Sequence, residues 1–225
     1  MLRVAVPNKG SLSGPAIDML TEAGYRQRRD QRELVLADPD NDTEFFFLRP
    51  RDIATYVGEG QLEVGITGRD LLLDGDSSAE EVLPLGFGAS TFRYAAVPGT
   101  ADAVEDFAGK RIATSYEGLV ARDLAGRGIE AEVIHLDGAV ETAVRLGVAD
   151  IIADVVSTGT TLRQAGLEVV GDPILESEAV LIRGEKAGTD TRVDQLMRRL
   201  TGVIIARQYV MIDYDCRVET LDAAC

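Results

Sequence analysis

Short apolar runs alternate with amphipathic segments along nearly the whole chain. Apolar runs of roughly four to eight residues bounded by Gly, Pro, Asn or Asp are typical of buried strands, and apolar residues spaced three and four apart are typical of helices. The pattern predicts strands at 2–6, 33–37, 44–48, 62–67, 92–97, 111–114, 132–136, 150–155, 168–170, 178–182 and 210–214. It predicts a first helix that Ser11 or Ser13 can cap and that ends near Ala23. Further helices are predicted at 50–57, 71–73, 119–125, 139–146 and 191–200.

This alternation predicts the fold class and the domain organisation. Strands separated by helices are typical of α/β proteins with parallel sheets. A second set of the same units begins near residue 92, so two halves are expected, with the chain crossing near 88–92 and returning near 177–184. We therefore predict a discontinuous first domain at 1–90 plus 184–225, a second domain at 91–183, and a ligand cleft between them.

The composition is that of an ordinary globular protein. Hydrophobic residues make up 45% of the 225 residues, charged residues 27%, and no apolar run reaches the roughly 18 residues of a membrane-spanning helix. The first residues lack the charged-then-apolar layout of a signal peptide, and the two cysteines, Cys216 and Cys225, suggest no disulfide framework. We therefore expect a cytoplasmic protein without a membrane partner.

The net charge further restricts the classes of ligand. It is −15, from 23 basic and 38 acidic residues. Non-specific binding to nucleic acids or anionic membranes needs a basic surface, so neither partner is expected. A small polyanionic substrate is compatible with this charge if it meets a locally basic cleft and is accompanied by a divalent cation.

The most informative segment is ETAVRLGVADIIADVVSTGTTL at residues 141–162. It predicts a helix, a buried strand carrying Asp154, and a turn rich in hydroxyl groups that opens another helix. Asp154 can accept hydrogen bonds from sugar hydroxyls, and Glu141 at the first helix start can share them. The N–H groups and hydroxyls of the turn can hold a phosphate, with contributions from Ser157, Thr158, Gly159, Thr160 and Thr161. The alternative is a plain strand–turn–helix junction in which Ser157 or Thr158 caps the helix.

This segment resembles the signature of the ATP phosphoribosyltransferase family. Further similarities to that family are VAVPNKG at 4–10, FFFLRP at 45–50, VGITGRDL at 64–71 and YVMIDYDC at 209–216. Separated motifs in the right order are more specific than one loop. The resemblance implies a two-lobed α/β fold like that of the type II periplasmic binding proteins, with the active site in the interdomain cleft, and a homodimer.

The resemblance also implies the reaction. The phosphoribosyl group of phosphoribosyl pyrophosphate is transferred to N1 of the adenine of ATP, with release of pyrophosphate, in the first step of histidine biosynthesis. Adenine N1 has a free lone pair, so no catalytic serine or cysteine is expected. The site must stabilise the departing pyrophosphate and an oxocarbenium-like sugar. Lys9, in a glycine-bearing turn, and Arg49, at a strand end, are the predicted cationic clamp, and a surface salt bridge is the alternative for each.

Three residues form the predicted nucleotide pocket. Asp70 can accept a hydrogen bond from the adenine amino group or a ribose hydroxyl, or it can merely cap the helix at Leu71. Tyr116 can stack on adenine, or it can be an ordinary half-buried aromatic. The resemblance supports Asp70, Leu71 and Tyr116 as nucleotide contacts. Mg²⁺ is expected to arrive with the substrate phosphates, since it keeps much of its water shell, and no dedicated metal ligands are predicted.

The segment after Tyr214 resembles the connection to the additional C-terminal domain of long-form family members, which carries the histidine feedback site. We therefore expect a catalytic core without that regulatory domain. Two other functions remain open on the sequence. One is a non-catalytic two-lobed binding protein, and the other is a nucleobase phosphoribosyltransferase, which uses a similar acid and loop in a different fold.

Overall fold

Two separate β-sheets organise the chain in a computed structural model that describes residues 1–210 except positions 29, 31, 76 and 189. The predicted strand at 210–214 falls, from residue 211 onwards, outside the described residues, as do Cys216, Cys225 and the segment after Tyr214. Within the described part of the chain, no helix is long and apolar enough to cross a membrane.

The described residues form eleven strands and seven α-helices. The strands are β1 (Leu2–Pro7), β2 (Val35–Asp38), β3 (Thr43–Leu48), β4 (Val64–Gly68), β5 (Glu80–Pro84), β6 (Ser90–Ala96), β7 (Arg111–Thr114), β8 (Glu132–His135), β9 (Ile151–Val156), β10 (Glu168–Ser177) and β11 (Ala179–Arg183). The helices are α1 (Ser13–Glu22), α2 (Pro50–Gly58), α3 (Arg69–Asp74), α4 (Glu117–Arg127), α5 (Thr142–Arg145), α6 (Thr160–Gln164) and α7 (Thr191–Ala206).

The first sheet has the order β2-β3-β1-β4-β11-β5 and the second has the order β10-β6-β9-β7-β8. The prediction of parallel sheets is only partly correct. Parallel pairs are confined to β1 with β3 and β4, and to β7 with β8 and β9, where helices supply the crossover that parallel neighbours need. The other pairings are antiparallel, including those of the strands next to the two crossings between sheets, β5, β6, β10 and β11.

The chain passes between the sheets twice, after β5 and between β10 and β11. The return falls at Glu178, within the predicted interval 177–184, but strand β11 belongs to the first sheet although the predicted second domain extended to residue 183. We call residues 1–88 and 178–210 the first lobe and residues 89–177 the second lobe. Strand β5 was not predicted, because its sequence EEVLP has no apolar alternation; none of its residues is buried.

Each sheet is covered by helices on both faces. In the first lobe, α1 and α7 pack on one face through Met19 and Leu196, and α2 and α3 pack on the other through Ile53 and Leu72. In the second lobe, α4 covers one face, and α5 and α6 cover the other. Each lobe therefore has its own core.

Candidate active site

A cavity of about 190 Å³ in the second lobe lies where β9 ends and α6 begins. The structure brings together in its wall all seven residues that the acid-and-loop motif predicted as a sugar-phosphate site. They are Glu141, Asp154, Ser157, Thr158, Gly159, Thr160 and Thr161. Glu141 is the N-cap residue of α5, and Asp154 lies in β9, so residues thirteen positions apart in sequence converge through the helix–strand turn.

The loop of this cavity is shaped by Gly159, whose φ of +69° lies in the left-handed region that favours glycine. Gly159 is the N-cap residue of α6, and no side chain caps that helix. Thr158 Oγ1 lies 3.5 Å from Thr160 N, which is too long for a good cap, and 3.0 Å from Thr160 Oγ1. Neither Ser157 nor Thr158 is the N-cap residue of α6, and both side chains are exposed.

The two acids give the cavity an unusual electrostatic character. Burial raises the pKa of the Asp154 carboxyl; the Val155 N–H at 2.8 Å opposes this, and the charges of Glu141 and Asp70 add to the rise. Among the described residues, no lysine or arginine forms an ion pair with Asp154 or Glu141. A group that donates hydrogen bonds or carries positive charge would therefore be attracted here.

A second cavity, of about 160 Å³, lies between the lobes and adjoins the first, because Val155 and Ser157 line both. Its wall includes Lys9 from the turn after β1 and three residues predicted as the nucleotide pocket, Asp70, Leu71 and Tyr116. Arg49, the N-cap residue of α2, is exposed and does not line either cavity. Within the described part of the chain, neither Lys9 nor Arg49 makes a side-chain ion pair, so the salt-bridge alternative is wrong for both.

Asp70 is only 7% exposed, and its carboxylate is held by Ser177, the last residue of β10. Ser177 Oγ donates to Asp70 Oδ1 at 2.7 Å and accepts from Asp70 N at 3.1 Å. Asp70 lies in the first turn of α3, whose N-cap residue is Gly68, so the alternative in which Asp70 merely caps this helix is wrong. Ser177 was missed by sequence reasoning, because it approaches Asp70 only through the return crossing.

Tyr116 follows β7 and projects into the interlobe cavity. Its ring centroid lies 5.1 Å from that of Phe92, and the Arg51 guanidinium carbon lies 4.8 Å from the ring centroid. Burial raises the pKa of Tyr116, and the neighbouring carboxylate of Asp70 raises it further. The Tyr116 hydroxyl is therefore neutral at physiological pH. Tyr116 and Asp70, which were predicted separately, are neighbours across the cleft. Arg51 is a second residue that sequence reasoning missed.

Comparisons with known proteins decide what this site belongs to. A family model described as ATP phosphoribosyltransferase matches residues 49–202. A curated ATP phosphoribosyltransferase from Pseudarthrobacter chlorophenolicus is 67% identical, and one from Streptomyces avermitilis is 64% identical; each alignment covers 100% of this chain and 80% of the relative. The chain belongs to the ATP phosphoribosyltransferase family.

Family membership makes this chain a transferase of histidine biosynthesis, as the sequence predicted. A solved structure of an ATP phosphoribosyl transferase (HisG:HisZ) complex from Thermotoga maritima matches with a TM-score of 0.80 and 27% identity, over 92% of this chain and 100% of that chain. A periplasmic binding protein from Brucella ovis with glutathione bound matches at 0.55 and 14% identity, over 93% and 69%. The second similarity concerns the fold alone, and together they confirm the predicted two-lobed fold.

Proposed function

We propose that the two adjoining cavities form one active site for ATP phosphoribosyl transfer. Phosphoribosyl pyrophosphate binds in the second-lobe cavity, with its 5-phosphate against residues 157–161 and its ribose hydroxyls against Asp154 and Glu141. ATP binds in the interlobe cavity against Asp70, Leu71 and Tyr116. The observation that carries this proposal is the shared wall of Val155 and Ser157, because it puts the two ligands next to each other.

The reaction breaks the bond between ribose C1 and a pyrophosphate oxygen and forms a bond between C1 and adenine N1. The electron pair of the broken bond leaves with pyrophosphate, and the lone pair of N1 forms the new bond, so no base has to remove a proton before attack. The protein contributes orientation of the two substrates and stabilisation of charge. The carboxylates of Asp154 and Glu141 lie beside the ribose, where negative charge stabilises an oxocarbenium-like sugar.

Lys9 and Arg49 supply the positive charge for the pyrophosphate and triphosphate groups in this proposal. Lys9 lines the interlobe cavity directly, and both side chains are exposed and have no ion-pair partner among the described residues. An exposed, unpaired cation can reach toward an arriving anion without first breaking a salt bridge. Arg49 has to reorient to reach the cavity, so we assign Lys9 the closer contact.

Mg²⁺ enters this proposal as part of the substrate complex, bound to the substrate phosphates. Among the described residues, no group of three or more acidic, histidine or cysteine side chains is arranged to hold a metal. Mg²⁺ keeps several of its waters and is held mainly by the substrate phosphates, so it needs no dedicated protein ligands. The cation neutralises phosphate charge and thereby assists departure of pyrophosphate.

The test is an assay of the purified chain with ATP, phosphoribosyl pyrophosphate and Mg²⁺, following the N1-phosphoribosyl adduct by its ultraviolet absorbance. Asp154→Asn and Thr161→Val should raise KM for phosphoribosyl pyrophosphate, whereas Lys9→Ala and Arg49→Ala should lower kcat more than they weaken binding. Arg207→Ala, which removes only an exposed ion pair with Glu22, is the control. If both pairs of variants behave like this control, the cleft assignment is wrong.

We further propose that the catalytic form is a homodimer. The Thermotoga maritima structure is named as a HisG:HisZ complex, which describes the assembly of that protein and not of this chain. Sedimentation of this chain alone would decide the point, because a stable hexamer or a monomer at assay concentration contradicts the proposal.

A further inference from the structure

Helix α3 of the first lobe and helix α4 of the second lobe pack against each other. The Asp74 side chain at the end of α3 is 9% exposed, and its Oδ1 accepts from Leu119 N in the first turn of α4 at 3.1 Å. A first-lobe carboxylate therefore caps a second-lobe helix, which is favourable because helix N-termini attract negative charge.

Arg51, from α2 of the first lobe, completes this contact. Its Nη1 donates to Asp74 Oδ2 at 2.8 Å, and its Nη2 donates to the carbonyl oxygen of Ser115 in the second lobe at 2.6 Å. The same guanidinium lies over the Tyr116 ring. One side chain thus links the buried acid, the backbone before Tyr116 and the Tyr116 ring, which needs the planar fork of arginine.

Gly118 lets the two helices approach this closely. A Cβ atom at Gly118 would overlap the carbonyl oxygen of Asp74, although the Gly118 backbone is not in the left-handed region. Gly126 lies in the same helix and has open space where its Cβ would be. The glycine at position 118 is therefore required by the contact between lobes and not by the conformation of α4.

We propose that Arg51, Asp74 and Gly118 form an interlobe joint that positions Tyr116 for the adenine nucleotide. This inference rests on the nucleotide role proposed for Tyr116. Arg51 is a positioning residue: it holds the ring and the preceding carbonyl, Asp74 holds Arg51, and Gly118 permits the close approach. The joint thereby makes nucleotide affinity depend on how the two lobes are placed.

The first measurement is a double-mutant cycle on KM for ATP. Tyr116→Ala, Arg51→Ala and Gly118→Ala should each raise this KM by roughly tenfold, the effect of losing one well-placed contact, while KM for phosphoribosyl pyrophosphate changes much less. In the Tyr116→Ala background, Arg51→Ala should have little further effect, because the two changes remove one shared contact. Arg51→Lys keeps the charge without the fork and should be intermediate, and Gly126→Ala is the matched control.

The second measurement is hydrogen exchange of the Leu119 amide, which does not depend on activity. Asp74→Asn, Arg51→Ala and Gly118→Ala should all lower its protection, and Gly126→Ala should not. If KM for ATP is unchanged in Tyr116→Ala, the nucleotide role of Tyr116 is refuted. If that KM rises but Arg51→Ala adds its full effect in the double variant, or Leu119 keeps its protection, the joint is refuted while the nucleotide role stands.

Discussion

Replacing Ser177 by alanine removes the hydroxyl that fixes the carboxylate of Asp70. The hydroxyl makes two buried hydrogen bonds, 2.7 Å to Asp70 Oδ1 and 3.1 Å from Asp70 N, so its loss leaves both a carboxylate oxygen and an N–H group without this partner. Removing one partner of a buried hydrogen bond to a charged group costs about 2 kcal/mol. For a chain of this size, that corresponds to a fall in Tm of roughly 4–8 °C.

The same substitution should also affect nucleotide binding, because a released Asp70 side chain can leave the position from which it is proposed to contact the nucleotide. A loss of about 1 kcal/mol in positioning corresponds to roughly fivefold in kcat/KM for ATP, with kcat/KM for phosphoribosyl pyrophosphate less affected. The assays are thermal unfolding and initial rates with each substrate varied in turn. Ser78→Ala is the control, since its exposed hydroxyl bonds only the Gly58 carbonyl and water can replace that bond.

Two outcomes would refute this reasoning in different ways. An unchanged Tm in Ser177→Ala would mean that the two bonds to Asp70 contribute nothing to the folded state. A lowered Tm with unchanged parameters for ATP would mean that Ser177 stabilises the return crossing but does not prepare Asp70 for a ligand.

Two further substitutions test the phosphoribosyl cavity. Burial raises the pKa of Asp154 in the folded state above its unfolded value, so the ionised carboxylate destabilises the fold fully above the folded pKa and not at all below the unfolded pKa. Asp154→Asn should therefore raise Tm at neutral pH but not in strong acid, and it should weaken phosphoribosyl pyrophosphate binding. An equal or lower Tm at neutral pH would contradict this. Gly159→Ala forces a left-handed φ on alanine at a cost of about 1 kcal/mol, and Gly147→Ala does the same outside the cavity, where φ is +70°. Both variants should lose similar stability, but only Gly159→Ala should raise KM for phosphoribosyl pyrophosphate. Equal effects on this KM would show that the loop is not the phosphate site.

Most elements of this fold could be predicted from sequence because their signals are local. Strand β7 at Arg111–Thr114 has the predicted bounds, and α2 begins at Pro50 as proline at the first helical position indicates. The cap of α1 was predicted wrongly, since its N-cap residue is Leu12 and the side chains of Ser11 and Ser13 do not cap it. Strand direction was the weakest prediction, because antiparallel pairing between β11 and β4 depends on the route of the chain between lobes.

The same distinction applies to the candidate site. The proposed sugar-phosphate cavity is built from residues 154–162 plus Glu141, so the spacing of acids, hydroxyls and glycine along the sequence could predict it. Ser177 and Arg51 carry no local signal: each acquires its role only from a residue far away in sequence, Asp70 for Ser177 and Tyr116 for Arg51. Residues of a loop motif can be predicted from sequence, whereas residues that position another side chain can be identified only from the tertiary structure.

A chain with a net charge of −15 repels polyanionic substrates overall, so its binding site must attract them through its local groups. Much of the arginine content is already neutralised in ion pairs, as for Arg69 with Glu81 and Glu178, and such pairs add little to the attraction of a ligand. In the proposed site, the neutral donors of residues 157–161 bind the phosphate without altering the net charge. Lys9 and Arg49 are exposed cations with no ion-pair partner among the described residues. Because charges beyond roughly 10 Å are largely screened at physiological ionic strength, these local groups decide what binds, and the acidic surface elsewhere does not prevent it.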